Sequence, residues 1–165
     1  MTGERYGGFW RRAMAFFIDI VILNLISLIL LFIGILALHK GFVSRPPRIS
    51  FAEMTDSFSI LYYIIALLVN MLYFTYFPSI AGQTPGKMLL GIVVVQTTGE
   101  KITPGIAFLR WVGYIISSLF LYLGFIWIAF DGKKQGWHDK IAGTMVVHAG
   151  KEGEEPLSPR GLKNP

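Results

Sequence analysis

The sequence predicts an all-α membrane protein with two to three transmembrane helices, the third of which spans or re-enters, and a small cytoplasmic strand pair. Three observations carry that expectation. Of 165 residues, 53% are hydrophobic and 15% charged, with a mean hydropathy of +0.56, whereas a soluble domain keeps roughly a quarter of its residues charged. The apolar residues gather into blocks at 13–38, 58–80 and 106–130, long enough for a hydrocarbon core that takes about 20 residues to cross. Two later segments each join a glycine to a β-branched run, and neither would be stable as a lone strand.

The first block, Ala13 to Leu38, is interrupted by Asp19, Asn24 and Ser27, and Phe9 and Trp10 stand where an interfacial aromatic anchor belongs. Basic residues Arg5, Arg11 and Arg12 precede it as they would a secretory signal, but the run is far longer than a signal core and no small-x-small site closes it. It reads as a retained first helix. His39 to Ser57 follows, with Arg45-Pro46-Pro47-Arg48 as a helix-breaking centre, and is expected to be a loop. The second block, Phe58 to Ile80, carries Asn70, Thr75 and several tyrosines but no acid or base, and Pro78 marks its expected end.

From Ala81 to Gly105 breakers alternate with a β-branched run: Gly82 to Lys87, then Ile92 to Val95, then the turn signal Thr98-Gly99. A short interfacial helix followed by a strand is expected. The third block opens at Arg110-Trp111, contains Ser117-Ser118 and Gly124, and ends at Asp131. Beyond it, Ile141-Ala142-Gly143-Thr144-Met145-Val146-Val147 repeats the pattern of Leu89-Leu90-Gly91-Ile92-Val93-Val94-Val95. Open sheet edges are forbidden in lipid, so the two strands pair in water on one face of the membrane. A single crossing by the third block would separate them and export Lys133, Lys134 and Lys140; re-entry near Ser117 to Gly124 would keep those lysines inside. Both routes stay open. One membrane domain is expected over 5–148, with a disordered polar tail over 149–165.

The pI near 9.6 and net charge of +5 arise from basic residues beside apolar blocks, where they act as topology signals rather than as a nucleic-acid footprint. With no cysteine there is no disulfide framework, thiol nucleophile or cysteine metal ligand.

Arg12 and Asp19, seven residues apart on a helix, lie within about 20° of one face and roughly 10 Å apart along the axis, too far for a direct ion pair. Arg12 can snorkel to the headgroups; Asp19, about two turns deeper, must face protein or water. Asp131 is the other acid beside an apolar segment, and re-entry would return it to the leaflet of Arg12. The three would then form one charge cluster, either locking helices together or serving an ion or proton.

The chain resembles the RDD family of small bacterial membrane proteins, named for one arginine and two aspartates. The residues that carry the resemblance are Gly8-Phe9-Trp10-Arg11-Arg12-Ala13 with Asp19, Gly82-Gln83-Thr84-Pro85-Gly86-Lys87 with Gly91, Arg110, and Asp131 before Trp137-His138-Asp139-Lys140-Ile141-Ala142-Gly143-Thr144. The resemblance places the family's arginine at Arg12 and its aspartates at Asp19 and Asp131, with Asp139 competing for the last. It implies transport of ions or other ligands. Lys87, Arg110, His138 and Asp139 are secondary candidates.

Other motifs fail on inspection. Gly82 to Lys87 has the wrong glycine spacing for a phosphate loop, and Met88 stands where Ser or Thr would hold magnesium. It reads as a cap and bend with Lys87 toward lipid phosphate. His39, His138 and His148 lack zinc-site spacing, and Ser117-Ser118 lack a base. No enzyme activity, metal or cofactor is expected. The expected role is a small transporter-like or ion- or proton-coupled membrane component; the alternative is a non-transporting scaffold or assembly subunit docking a partner protein. The expected partners are the lipid bilayer, a second copy or another membrane protein, and a monovalent cation or proton, with no nucleic acid. The expected placement is the bacterial inner membrane, N-terminus cytoplasmic.

Overall fold

In the computed structural model, which describes residues 6–44, 51–119 and 123–149, two long helices lead into an alternation of short helices and strands. Helix α1 runs Phe9–Ser44 and α2 Phe51–Ala81. The stretches Phe9–Lys40 and Thr55–Ala81 are long and apolar enough to cross a membrane. In lipid every backbone group must be satisfied within the segment, so unbroken apolar sequence becomes helix there. The loop expected over His39–Ser57 is shorter than its composition suggests, because α1 continues to Ser44 and α2 begins at Phe51. The Arg45-Pro46-Pro47-Arg48 centre and the polar tail from Gly150 lie outside the described residues. Pro78 does not end α2. It lies in the last turn, where only one upstream hydrogen bond is lost, and its carbonyl accepts from the Gly82 N–H at 2.8 Å.

The chain divides into two compact units, one taking residues up to Asp19 and from Tyr73 onward, the other Ile20–Leu72. Within the second unit, Gly34 lets the two helices approach: a Cβ there would lie 2.6 Å from Cε2 of Phe58. Large apolar side chains such as Leu28, Ile29, Phe32, Leu61 and Tyr63 are exposed around these helices, as a lipid-facing surface requires.

The first unit is organised on a two-stranded antiparallel sheet. Strand β1 (Ile92–Gln96) pairs with β2 (Thr144–His148) from Ile92 opposite His148 to Gln96 opposite Thr144. Each strand is preceded by a five-residue helix, α3 (Pro85–Leu89) or α6 (Trp137–Ile141). A glycine with positive φ, Gly91 at 62° or Gly143 at 61°, makes each helix-to-strand turn. The repeat extends upstream: Gln83 donates through Nε2 to the Ile92 carbonyl at 3.1 Å and Gln135 to the Thr144 carbonyl at 2.7 Å. In this frame Lys87 of the first copy corresponds to Asp139 of the second. The N-terminal segment joins the far edge of β2 through a Tyr6–Val147 bridge and a Gly7 N–H to Val146 carbonyl bond of 2.9 Å.

Ala15, Ile92, Val94, Ile102, Ala107 and Val146 form the core between sheet and helices. The third apolar block becomes α4 (Pro104–Leu119) and α5 (Leu123–Phe130), bent 99° to one another. Gly124 lets α5 meet α4, since a Cβ there would strike the Ser117 side chain. The strands on either side of this bent pair bond to each other, so the chain enters and leaves it at one sheet.

Candidate functional site

The first unit encloses a set of polar side chains contributed by α1, α2, α3, α4, α6 and β2. Asp139 sits at its centre with no exposed surface. One carboxylate oxygen accepts from Arg12 and the other from Arg110, the latter at 2.5 Å. The Gly136 N–H closes the α6 N-terminus onto Asp139 Oδ2 at 3.0 Å. Burial opposes ionisation here, but the two guanidiniums overcome it and hold the Asp139 carboxyl well below the usual carboxylate range. Arg110 also donates to the Thr144 hydroxyl and, at 3.1 Å, to Tyr114 Oη. Arg12 further donates to the Lys134 carbonyl and, at 3.4 Å, to His138 Nε2.

His138 lies beside the rings of Tyr114 and Phe125, at centroid distances of 4.6 and 4.9 Å. Burial pushes the imidazole well below its ordinary value, with Asp139 opposing and Arg110, Arg12 and Lys87 adding to the fall. Because Arg12 donates to Nε2, the ring proton belongs on Nδ1, a buried atom without a partner among the described residues. A Cβ at Gly113 would lie 2.7 Å from the His138 Cα, so that glycine sets the α4–α6 approach.

Asp19 is the second fully buried acid, but its partners differ in kind. Oδ1 accepts from Tyr73 Oη at 2.7 Å and from the Gly86 N–H at 2.8 Å, while Oδ2 accepts from the Thr84 hydroxyl at 2.5 Å. All three donors are neutral. Among the described residues no ion pair reaches Asp19. Lys87, one residue beyond Gly86, keeps 6% of its surface exposed and donates to Tyr114 Oη at 3.4 Å. Burial lowers its ammonium below the ordinary lysine value; Tyr114 and Asp19 oppose that shift, Arg110 and Arg12 reinforce it.

The structure therefore joins Arg12, Arg110, His138 and Asp139, and sets Asp19 and Lys87 beside them. Asp131 is not in this cluster. It binds Lys140 Nζ at 2.6 Å and accepts from the Lys133 and Gln135 N–H groups at 3.1 Å, so it caps the turn leading into α6. Burial raises its carboxyl, but Lys140 and those two N–H groups together bring it below the ordinary value. Arg12 is turned inward to Asp139 rather than snorkelling, and Lys87 is buried against Tyr114 rather than facing lipid phosphate. Tyr73, Thr84, Tyr114 and Thr144 are not among the site residues expected from the sequence, although Thr84 and Thr144 stand within the motifs that carry the family resemblance. Among the described residues no three His, Asp or Glu side chains gather as metal ligands.

The model of the RDD family matches residues 6–143. The chain belongs to the RDD family. This RDD chain is 36% identical over 150 residues to the uncharacterized protein YxaI of Bacillus subtilis (strain 168), covering 88% of the chain and 99% of YxaI. It is 35% identical over 146 residues to the uncharacterized membrane protein YteJ of the same organism, covering 87% and 81% respectively. A proline-rich antigen homolog of Mycobacterium tuberculosis (strain ATCC 25618 / H37Rv) is 34% identical over 67 residues, which cover 40% of the chain and 28% of that protein. No solved structure matches. The RDD chain is a bacterial membrane protein with two membrane-length helices among the described residues.

Proposed function

We propose that the protein is a small ion-coupled membrane component in which Asp19 is the exchange site for a monovalent cation or proton, and that Asp139 is the family's second aspartate. The observation that carries the reading is the contrast between the two buried acids. Asp139 is neutralised by two guanidiniums, whereas among the described residues Asp19 is held by neutral donors only. Asp19 lies ten residues beyond the start of α1, roughly 15 Å along its axis. A carboxylate at that depth, lacking a partner of opposite charge, is a seat for a small cation or a proton.

Topology rests on the strand pairing and the basic residues. The N-terminus and the sheet lie on the cytoplasmic side, and the α4–α5 pair re-enters. Support comes from the pairing of the strands that flank the bent pair and from the basic residues Arg11, Lys101, Lys133, Lys134 and Lys140 around the sheet. The two membrane-length helices among the described residues give little wall to a pathway, so the functional unit is a homo-oligomer or a complex with a membrane protein. That same shortage favours the second reading, a scaffold whose charge network only fixes the fold.

The test is purified protein in liposomes carrying an imposed pH gradient. Addition of sodium, lithium or potassium should dissipate the gradient, Asp19→Asn should abolish the response, and Arg12→Ala should shift its pH dependence. Folded protein that moves no protons on cation addition, from mildly acidic to mildly alkaline pH, leaves the scaffold reading.

A further inference from the structure

We propose that Lys87 carries the proton that is exchanged when a monovalent cation occupies Asp19. The proposal rests on the reading of Asp19 above and names the proton carrier that reading leaves open. A proton on Asp19 Oδ1 would compete with the hydrogens already donated by Tyr73 and Gly86, and one on Oδ2 would share that oxygen with the Thr84 hydroxyl. Lys87 has no such competition. The repeat frame shows why: at the position where the second copy has an acid clasped by two arginines, the first has an ammonium, and among the described residues no carboxylate lies within 4.0 Å of it.

Every element facing Lys87 bears on its charge. From α1 come Asp19, which favours the ammonium, and Arg12, which opposes it; from α4 come Tyr114, which favours it, and Arg110, which opposes it; from α6 comes the His138 imidazole, whose own charged form Lys87 disfavours. Asp139 is already engaged with both arginines. Of these charges, Asp19 is the one that a bound cation would cancel, and cancelling it leaves Tyr114 as the remaining group that favours the buried ammonium.

The exchange balances. The cation binds the Asp19 carboxylate, one N–H bond of Lys87 breaks, and its proton passes to water, so the charge on the pair is the same before and after. Tyr114 accommodates both states. Its oxygen accepts from Arg110 throughout; it accepts from the Lys87 ammonium in one state and donates its own hydrogen to the neutral amine in the other.

Proton release from detergent-solubilised protein, read with a pH dye in weak buffer, is measured together with the cation concentration that half-saturates thermal stabilisation. In the unaltered protein, sodium or lithium should release protons, and the half-saturating concentration should fall about tenfold for each unit rise in pH, as one-for-one competition requires. Lys87→Gln should bind the cation more tightly, with a half-saturation independent of pH and without proton release. Lys87→Arg keeps a permanent charge and should lose both stabilisation and release. Release from either variant at the unaltered level overturns the proposal, and the arginine variant carries the test if the glutamine variant does not fold. Absence of both signals in the unaltered protein overturns the Asp19 reading and this one together; pH-independent stabilisation without proton release overturns this one alone.

Discussion

Asp139→Asn is the sharpest test of what holds the first unit together. The substitution keeps the volume but turns one carboxylate oxygen into an amide NH2 that faces a guanidinium. Arg12 and Arg110, with side chains 6% and 2% exposed, then share one neutral acceptor deep in protein. Removing one partner of a buried ion pair costs about 3–5 kcal/mol, because a charge is left uncompensated. The internal comparison is Asp131→Asn, where the Lys140 partner is 45% exposed and the acid 14%; such an ion pair contributes about 0–1 kcal/mol. Thermal unfolding in mild detergent, followed by tryptophan fluorescence, should rank Asp139→Asn several degrees or more below Asp131→Asn. A triple replacement of Arg12, Arg110 and Asp139 by Met, Met and Leu should regain part of the loss, since the penalty lies in the orphaned charges. Equal stability of the two asparagine variants would refute the buried-pair argument. The sign with pH also follows: a carboxyl lowered by folding contributes fully above about pH 4, the ordinary carboxylate range, and loses that contribution as pH falls below it.

His138 makes a separate prediction on the same axis. Its imidazole is lowered by folding, so the unfolded chain binds the extra proton first and stability should decline as pH drops through about 6.5; His138→Gln should flatten that slope in the same unfolding assay. Gly86→Ala should destabilise by about 1–3 kcal/mol, the usual cost of overpacking, because its Cβ would strike the Ala15 carbonyl and lie 2.8 Å from Asp19 Oδ1. Gly105→Ala meets nothing within 4 Å and should be neutral or gain up to about 1 kcal/mol. For topology, Lys101→Cys and Lys133→Cys, made singly in a chain that has no native cysteine, should both resist an impermeant thiol reagent in intact cells. Labelling of Lys133→Cys alone would mean that the α4–α5 pair crosses the membrane.

The strand pair was legible in the sequence because its signal is local and given twice: a glycine where the chain must take positive φ, then β-branched residues. The long helices were legible for a similar reason, since hydropathy over a span needs no knowledge of neighbours. Their ends were less so. The stretch from His39 to Ser44 reads as loop, yet a helix already formed adds a further turn at small cost. The partner of Arg12 was harder, because it depends on the direction taken after α5. Lys134 adopts a φ of 52° in the turn that Asp131 caps, and α6 then presents Asp139, not Asp131, to the arginines. Tyr73 and Tyr114 were invisible as site residues, since a tyrosine within an apolar block reads as bulk until a charge is placed beside its hydroxyl.

Arg12 and Asp19 belong to one rigid helix, yet each serves a different copy of the repeated motif: Asp19 accepts from the first turn of α3, and Arg12 clasps the acid of α6. Helix α1 is thus a gauge block whose seven-residue interval matches the spacing of two sockets. Inserting one residue between them would move one group by about 1.5 Å and rotate it by roughly 100° relative to the other, so only one socket could remain filled. Insertions and deletions in this interval should be barred even where the replaced side chains face lipid and tolerate any apolar substitute.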